Sequence, residues 1–493
     1  MFLFYLQKLK TESCVFLIVW VSFVFYSIYS FIVNTKPYFN NYQDVYDDFE
    51  EGWRFLQQRR DVSDTEFNDI IFMFVSVWPY MILGVGIIEV QLKYAWHTSV
   101  IKIVHILFTS LVIVLHFGFA VFGILVIQPI VYTVVFLIFK NKKSLYVWTI
   151  VDLILLGYTP YDTLKEFGFS DQQVHIFSVC TGWQILKCAS FYLELKSLTL
   201  SDILNCFSYN FYLPTYFSGP VILYNEYEKV FDYKKYKPFK LRIQSAIMNH
   251  IRLIYWLIFT YFSLHYVYIN AIRYHVEFLY KLNSWSLYGY GYLMGQYFHL
   301  KYVLFYGIST NLASFQNMEV PSLPRCIGRI HLYSDMWRYF DVGLYKFLVR
   351  YIYKPTLISK SSFNKIISSG ITFVFIWIWH ALNKTTFLWA FLNYTAVMCE
   401  SVGNELCKTT FIQNLERKIG LKMMHRLKCL CSAHLMILNS ISNFCFFAGL
   451  DVANIFVDRI LEDSLPKTMV LIFAFYTLSE ISSAIRMVPA ATM

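Results

Sequence analysis

An all-α protein that crosses a membrane many times is the fold class this sequence predicts, and three observations predict it. Of 493 residues, 57% are hydrophobic and only 15% are charged, where soluble domains carry about 25% charged residues. The charges fall in short clusters between apolar runs of about twenty residues, the length a helix needs to cross the hydrocarbon core. The 12 Trp, 39 Tyr and 47 Phe suit a lipid-facing bundle with aromatic side chains at its interfaces.

The first apolar run, Cys14 to Val33, reads as a signal anchor that is retained, because no small-residue cleavage site follows it. Lys8 and Lys10 precede it, and Asp44, Asp47, Asp48, Glu50 and Glu51 follow. The positive-inside rule therefore puts the N-terminus in the cytoplasm and the acidic loop on the far side. Within that loop Gln57-Gln58-Arg59-Arg60 reads as a short surface helix. A second span near Ile70–Ile88 holds Pro79, Gly84 and Gly86 and should bend. Val100 to Phe139 is too long for one span and suits two, with a tight turn near Gly118. Lys140, Lys142 and Lys143 then return the chain to the cytoplasmic side.

Further apolar segments lie near Tyr146–Tyr158, Val174–Leu193, Ile203–Leu223, Ile247–Ile269, Ser286–Ile308, Ile366–Leu382, Thr386–Met398, Ser432–Ala448 and Met469–Ile485. This makes roughly ten to twelve membrane elements, several short enough to be tilted or re-entrant. No soluble domain fits between them, so residues 1–493 read as one membrane unit. Residues 1–69 are its anchor and acidic loop, and 200–450 the part that carries chemistry.

A net charge of +10 spread over short loops fits anionic membrane lipids or an anionic substrate and argues against nucleic acid. The 10 Cys lie mostly in apolar runs, as free buried thiols do, and no CxxC pair offers a structural zinc site. Cys429 and Cys431, beside Arg426 and Lys428, form a weak S-acylation pattern. P-loop, GxSxG and HExxH motifs are missing. Gly289-Tyr290-Gly291 follows no strand and is not a dinucleotide loop.

One stretch interleaves charge, aromatic and apolar side chains as a site would: Ser334 to Pro355, SDMWRYFDVGLYKFLVRYIYKP. Read as one helix from about Met336, it puts Trp337, Phe340, Leu344, Leu348 and Tyr351 on one face. Lys346, Arg350 and Lys354 form a basic stripe on another, and Arg338 can pair with Asp341 at i,i+3. Either this helix lies on the membrane surface with its cations on lipid phosphates, or it binds substrate and its acid does chemistry. His380 closes the apolar run FVFIWIWH and is the only ionisable group between Lys365 and Lys384. A titratable side chain at membrane depth is by default a functional hypothesis, and neutral imidazole suits a general base; a histidine snorkelling at a helix end is the other reading. Asn439, Ser442 and Asn443 read as interhelical hydrogen-bond donors and acceptors, and Tyr216-Phe217-Ser218-Gly219-Pro220 as a helix break. Cys326, after Pro321, Pro324 and Arg325, is displayed by a rigid loop.

These blocks resemble the membrane-bound O-acyltransferase superfamily. MWRYFDVGLYKFLVRYIY (336–353) carries most of the likeness, with the histidine of WIWH, Ser218-Gly219-Pro220, Leu323-Pro324-Arg325-Cys326 and Ser442-Asn443. Within the superfamily they resemble the branch that acylates secreted Hedgehog-type proteins. The chain departs from the family at Ala381-Leu382, where glycine is common, and at Phe217-Ser218, where His-Asn is familiar. The resemblance implies a bundle of about ten spans plus re-entrant segments around a tunnel in the endoplasmic reticulum or Golgi membrane. It implies His380 and Asp341 as the catalytic pair, and Trp337, Arg338, Lys346, Arg350, Trp379 and Asn443 at the acyl-CoA. Cys326 would match a haem-linked cysteine. The implied reaction moves palmitate from palmitoyl-CoA to the N-terminal cysteine amine of a Hedgehog-type or EGF-like acceptor. A lipid or sterol hydroxyl acceptor, and a non-catalytic scaffold or transporter, are the alternatives.

Overall fold

In a computed structural model the chain is described for residues 11–43, 47–159, 161–166, 168–359 and 361–487. Lys8, Lys10 and Asp44, part of the basis of the sidedness expectation, lie outside them. The architecture is helical throughout, with one two-stranded hairpin (β1, Phe49–Glu51; β2, Arg59–Asp61) among the described residues. The chain enters through α1 (Thr11–Asn40), passes the hairpin, and continues with α2 (Thr65–Lys93), α3 (Thr98–Phe139), α4 (Lys142–Tyr158), α5 (Asp171–Glu194) and α6 (Leu200–Asn210). After a long irregular stretch come α7 (Phe239–Ser263) and α8 (Ser284–Phe315). The short α9 (Tyr333–Tyr339) and α10 (Val342–Phe347) precede α11 (Ser362–Trp379) and α12 (Lys384–Leu406). The chain closes with α13 (Thr410–Ile419), α14 (Leu421–Glu462) and α15 (Leu465–Met487).

Among the described residues five helices are both long and apolar enough to cross a membrane: α1, α2, α3, α11 and α15. Other long helices, such as α8, carry too many polar groups for that, as expected of elements facing one another inside a bundle. Helix α3 is interrupted at Gly118, whose φ of 85° takes it out of the helical region. That is the position where the sequence predicts a turn, and α14 is broken in the same way at Gly449.

Close helix approach explains the Gly-Tyr-Gly of α8. A Cβ on Gly289 would sit 2.1 Å from the Ser27 carbonyl oxygen of α1, and one on Gly291 2.5 Å from the Phe444 ring of α14. With small residues at the crossing, Phe31 stacks on Tyr290 at 5.6 Å and Ser30 and Ser286 share a hydrogen bond of 2.8 Å, the interface chemistry of helices that meet in lipid.

Two local expectations are corrected. Residues 57–60 are not a surface helix: Arg59 and Arg60 pair as strand with Glu51 and Glu50, and the Arg59 guanidinium lies 4.7 Å over the Phe49 ring. Cross-strand pairing and this cation–π contact outweigh a weak helical pattern in so short a piece. Nor does the apolar run 203–223 continue as a helix. It ends at Asn210, and residues 211–223 form an irregular, wholly buried segment that includes a cis Gly219–Pro220 bond. Pro214 and Pro220 cannot supply the N–H groups a continuing helix needs.

Candidate active site

The 334–355 block is not one helix. Asp341 leaves the helical region (φ −111°, ψ 88°) and starts a new one, its carboxylate accepting from Leu344 N at 2.8 Å. An aspartate is among the best N-caps, so the residue expected to do chemistry also ends one helix and begins the next. The following turn, Leu348–Tyr353, is wound as a π-helix. Gly343 then packs against the irregular segment: a Cβ there would meet the Val221 carbonyl oxygen at 2.5 Å. The Asp-Val-Gly of one block and the Ser-Gly-Pro of the other are thus two sides of one contact.

The expected Arg338–Asp341 ion pair does not form. The second oxygen of Asp341 accepts from the Tyr306 hydroxyl of α8 at 2.6 Å, while Arg338 reaches Asp335 at 3.9 Å. Once the chain breaks at Asp341, helical i,i+3 spacing no longer places the two side by side.

Between α2, α4, α5, α8, α11 and α14 lies a cavity of about 440 Å³, within the range of small-molecule sites. His380, Asp341, Trp337, Trp379 and Asn443 all line it, so five of the expected residues meet there although they span more than a hundred positions. Arg338, Lys346, Arg350 and Cys326 do not line it. Arg338 and Lys346 are exposed, and Arg350 is paired with Glu194 at 2.9 Å. A smaller cavity of about 150 Å³ shares Met336, Asn443 and Phe447 with the first and opens among Trp20, Trp285 and Tyr292.

His380 caps the C-terminus of α11, its N–H closing the last turn on Ile376. Its ring stands nearly perpendicular to Trp379, Trp389 and Phe446, with centroids 4.6, 5.1 and 5.1 Å away. Among the described residues its ring nitrogens make no hydrogen bond, so an aromatic box orients the imidazole and leaves its lone pair for a ligand. The next residue, Ala381, has φ 81°, a left-handed conformation that glycine adopts freely and alanine does not. The glycine that the family resemblance leads one to expect at Ala381-Leu382 would meet that backbone requirement freely.

The polar side chains of α14 make the interhelical bonds expected of them. Asn393 Oδ1 accepts from Trp337 Nε1 at 3.2 Å, its Nδ2 donates to Ser442 at 3.3 Å, and Trp389 Nε1 donates to Asn443 at 3.3 Å. Asn393 is fully buried, which withholds the glycosylation motif Asn393-Tyr394-Thr395 from use. Trp379 lines the cavity, and its Nε1 is buried with no partner among the described residues.

Tyr306, Trp183, Trp389, Asn393 and Phe446 belong to the site and sequence reasoning passed over them. An asparagine four residues after a tryptophan inside the apolar run of α12 was a usable signal for two of them. Nothing distinguished Tyr306 among 39 tyrosines.

Cys326 donates to Gln296 Oε1 at 3.3 Å, and a Cβ on neighbouring Gly328 would find Gln296 at 3.2 Å and Tyr292 at 3.3 Å. The thiol is engaged by Gln296, and the cavity beside it, lined by Tyr292, Gln296 and Gly328, holds about 150 Å³, less than a porphyrin needs, so the residues as packed do not fit haem.

Residues 70–442 match the membrane-bound O-acyltransferase family. The chain belongs to that family. It is an MBOAT acyltransferase, all-α and polytopic. It is 26% identical to the protein-cysteine N-palmitoyltransferase Rasp of Drosophila melanogaster, over 87% of this chain and 86% of that protein. It is 28% identical to the mouse protein-cysteine N-palmitoyltransferase HHAT, over 54% of each. The mouse HHAT-like protein is 22% identical over 86% of this chain and 85% of its own length.

Proposed function

We propose that this MBOAT acyltransferase moves palmitate from palmitoyl-CoA to the α-amine of the N-terminal cysteine of secreted Hedgehog-type proteins, with EGF-like ligands as a second acceptor class. The reaction takes place in the endoplasmic reticulum or Golgi membrane, the N-terminus facing the cytoplasm. The observation that carries the reading is an imidazole without a hydrogen bond among the described residues, His380, lining one cavity together with Asp341, Trp337, Trp379 and Asn443. The names of the Drosophila and mouse relatives support the choice of amine acceptor and acyl donor.

The thioester is already activated, so the protein must align the reactants, take one proton and polarise one carbonyl. The α-amine titrates near about pH 8, so a neutral imidazole can take its proton as the nitrogen attacks. The C–N bond forms, the C–S bond breaks, and His380 returns the proton to the departing thiolate. Trp379 Nε1, buried without a partner among the described residues, donates to the carbonyl oxygen once its ring turns toward the cavity, as negative charge develops there. Asp341 is a positioning residue: with one oxygen on Leu344 N and the other on Tyr306, it holds the wall opposite the base. Trp337 and Asn443 shape the acyl slot. Arg338 and Lys346, exposed beside the cavity-lining Trp337 and Tyr345, meet the phosphates of the donor, while Arg350 is held by Glu194. Residues 200–450 supply the reacting groups; residues 1–69 anchor the unit.

The test is transfer of labelled palmitate to a peptide copying a Hedgehog N-terminus, by purified protein and by His380→Ala. Amide-linked label that falls by about 10²–10⁴ in the variant is expected. No transfer by folded wild-type protein would send the reading to lipid or sterol hydroxyl acceptors. Equal transfer by both proteins would take the base role from His380.

A further inference from the structure

We propose that the start of α14 and the end of α15 form a zinc-class metal site, with His425, Cys429 and Glu480 as its protein ligands. The three side chains come from two antiparallel helices and converge on one point: His425 Nε2, Cys429 Sγ and a Glu480 oxygen all lie within 4.8 Å of one another. His425 and Cys429 are four residues apart and so share a helix face; Glu480 faces them from the neighbouring helix.

Two of the three separations match those of a filled site. Zinc–sulfur and zinc–nitrogen bonds of about 2.3 and 2.0–2.1 Å at tetrahedral angles hold sulfur and nitrogen about 3.5 Å apart, and nitrogen and oxygen about 3.3 Å apart. Here Cys429 Sγ is 3.5 Å from His425 Nε2, and Glu480 Oε2 is 3.1 Å from the same nitrogen. A single nitrogen approached by both a thiol and a carboxylate can satisfy only one of them as a hydrogen bond; a cation between the three satisfies all.

The surroundings agree. The other oxygen of Glu480 accepts from the Tyr476 hydroxyl at 2.7 Å, the outer hydrogen bond that orients a ligating carboxylate. Nearby cations have partners of their own: Lys422 and Arg426 pair with Glu12, and Arg486 with Asp335. His331 is turned to Ser482 at 2.7 Å. Cys429 is 4% exposed, which withholds it from lipid attachment while exposed Cys431 remains available. Binding releases the thiol proton to solvent, so thiolate, carboxylate and neutral imidazole together neutralise a divalent ion between the two helices. With three protein ligands and His425 partly exposed, the fourth position takes water.

The site would staple α14 to α15. Further along α14 are Asn443, Phe446 and Phe447, which line the large cavity, so the staple fixes the helix that forms that wall.

The probes are zinc and cobalt(II), and the protein is the full chain in detergent. Metal analysis after passage over chelating resin should find about one zinc per chain, and cobalt substitution should give a thiolate charge-transfer band in the near ultraviolet. Cys429→Ser should abolish the band; His425→Gln and Glu480→Gln should each weaken metal affinity at least about tenfold. Chelation should lower the thermal midpoint of the wild-type protein more than that of His425→Gln. Folded wild-type protein without metal or cobalt band overturns the proposal, as does a band of equal strength in Cys429→Ser. If Cys429→Ser does not fold, unchanged metal affinity in both other variants overturns it.

Discussion

Replacing Asp341 separates a positioning carboxylate from one that handles protons. Asp341→Ala removes two bonds. Losing the N-cap to Leu344 N costs about 1 kcal/mol. Leaving the buried Tyr306 hydroxyl without its acceptor costs about 1–3 kcal/mol. The sum, about 2–4 kcal/mol, should appear as a lower thermal midpoint in detergent. Asp341→Asn behaves differently. Its Oδ1 still caps Leu344, and its Nδ2 can donate to the Tyr306 oxygen, so the same geometry survives with one bond reversed. We expect less than about 1 kcal/mol of destabilisation and an acyl-transfer rate within about tenfold of wild type. Tyr306→Phe should be coupled to Asp341→Ala in a double-mutant cycle, because each removes the same bond. The readouts are thermal unfolding and palmitoyl transfer on the same preparations. A folded Asp341→Asn protein slowed by more than about 10³ would refute positioning and make the carboxylate part of the proton chemistry.

Ala381→Gly should stabilise the protein by about 0.5–1 kcal/mol: relief of a left-handed alanine is worth about 1–2 kcal/mol, against the extra chain entropy of glycine. Activity should be kept, and a lower thermal midpoint would contradict the strain at φ 81°. Gly343→Ala should cost about 1–3 kcal/mol or more, since the new methyl meets backbone, the Val221 carbonyl at 2.5 Å; a neutral effect on unfolding would show that the two segments part easily. In the loop between α1 and α2, burial pushes the Asp61 carboxyl up to about 6, against N–H donors from Asn270, Ser63 and Ala271. A raised acid binds more protons folded than unfolded, so its contribution is full below about pH 4 and lost as pH rises through 6. The gap of about 2 pH units corresponds to about 3 kcal/mol. Thermal midpoints should fall across that window in the wild type and not on this account in Asp61→Asn; a rise across it would reverse the assignment.

Sequence by itself determined the solvent this protein folds in and the classes of chemistry open to it. Composition and the length of the apolar runs are enough for that, because a bilayer accepts only backbone whose hydrogen bonds are closed within helices or barrels. It also singled out His380, since an ionisable group isolated in apolar sequence is costly and so is seldom incidental. The break at Gly118 was legible for a similar reason: forty apolar residues exceed one bilayer crossing.

Other features depended on contacts that helical periodicity does not encode. One helix was expected across Asp341 because its neighbours keep helical spacing, yet the aspartate caps a new helix and turns to Tyr306, some thirty-five residues earlier. Arg59 and Arg60 took strand geometry from partners on β1. The basic stripe dissolved once Arg350 met Glu194, an acid on a helix more than 150 residues away. Gathering Trp183, Tyr306, Asp341, Trp379, His380 and Asn443 around one cavity likewise belongs to the tertiary structure. Local propensity ranks the conformations of a few residues, whereas a site is made by closing long loops, and the energy that repays closure comes from packing between segments far apart in the chain.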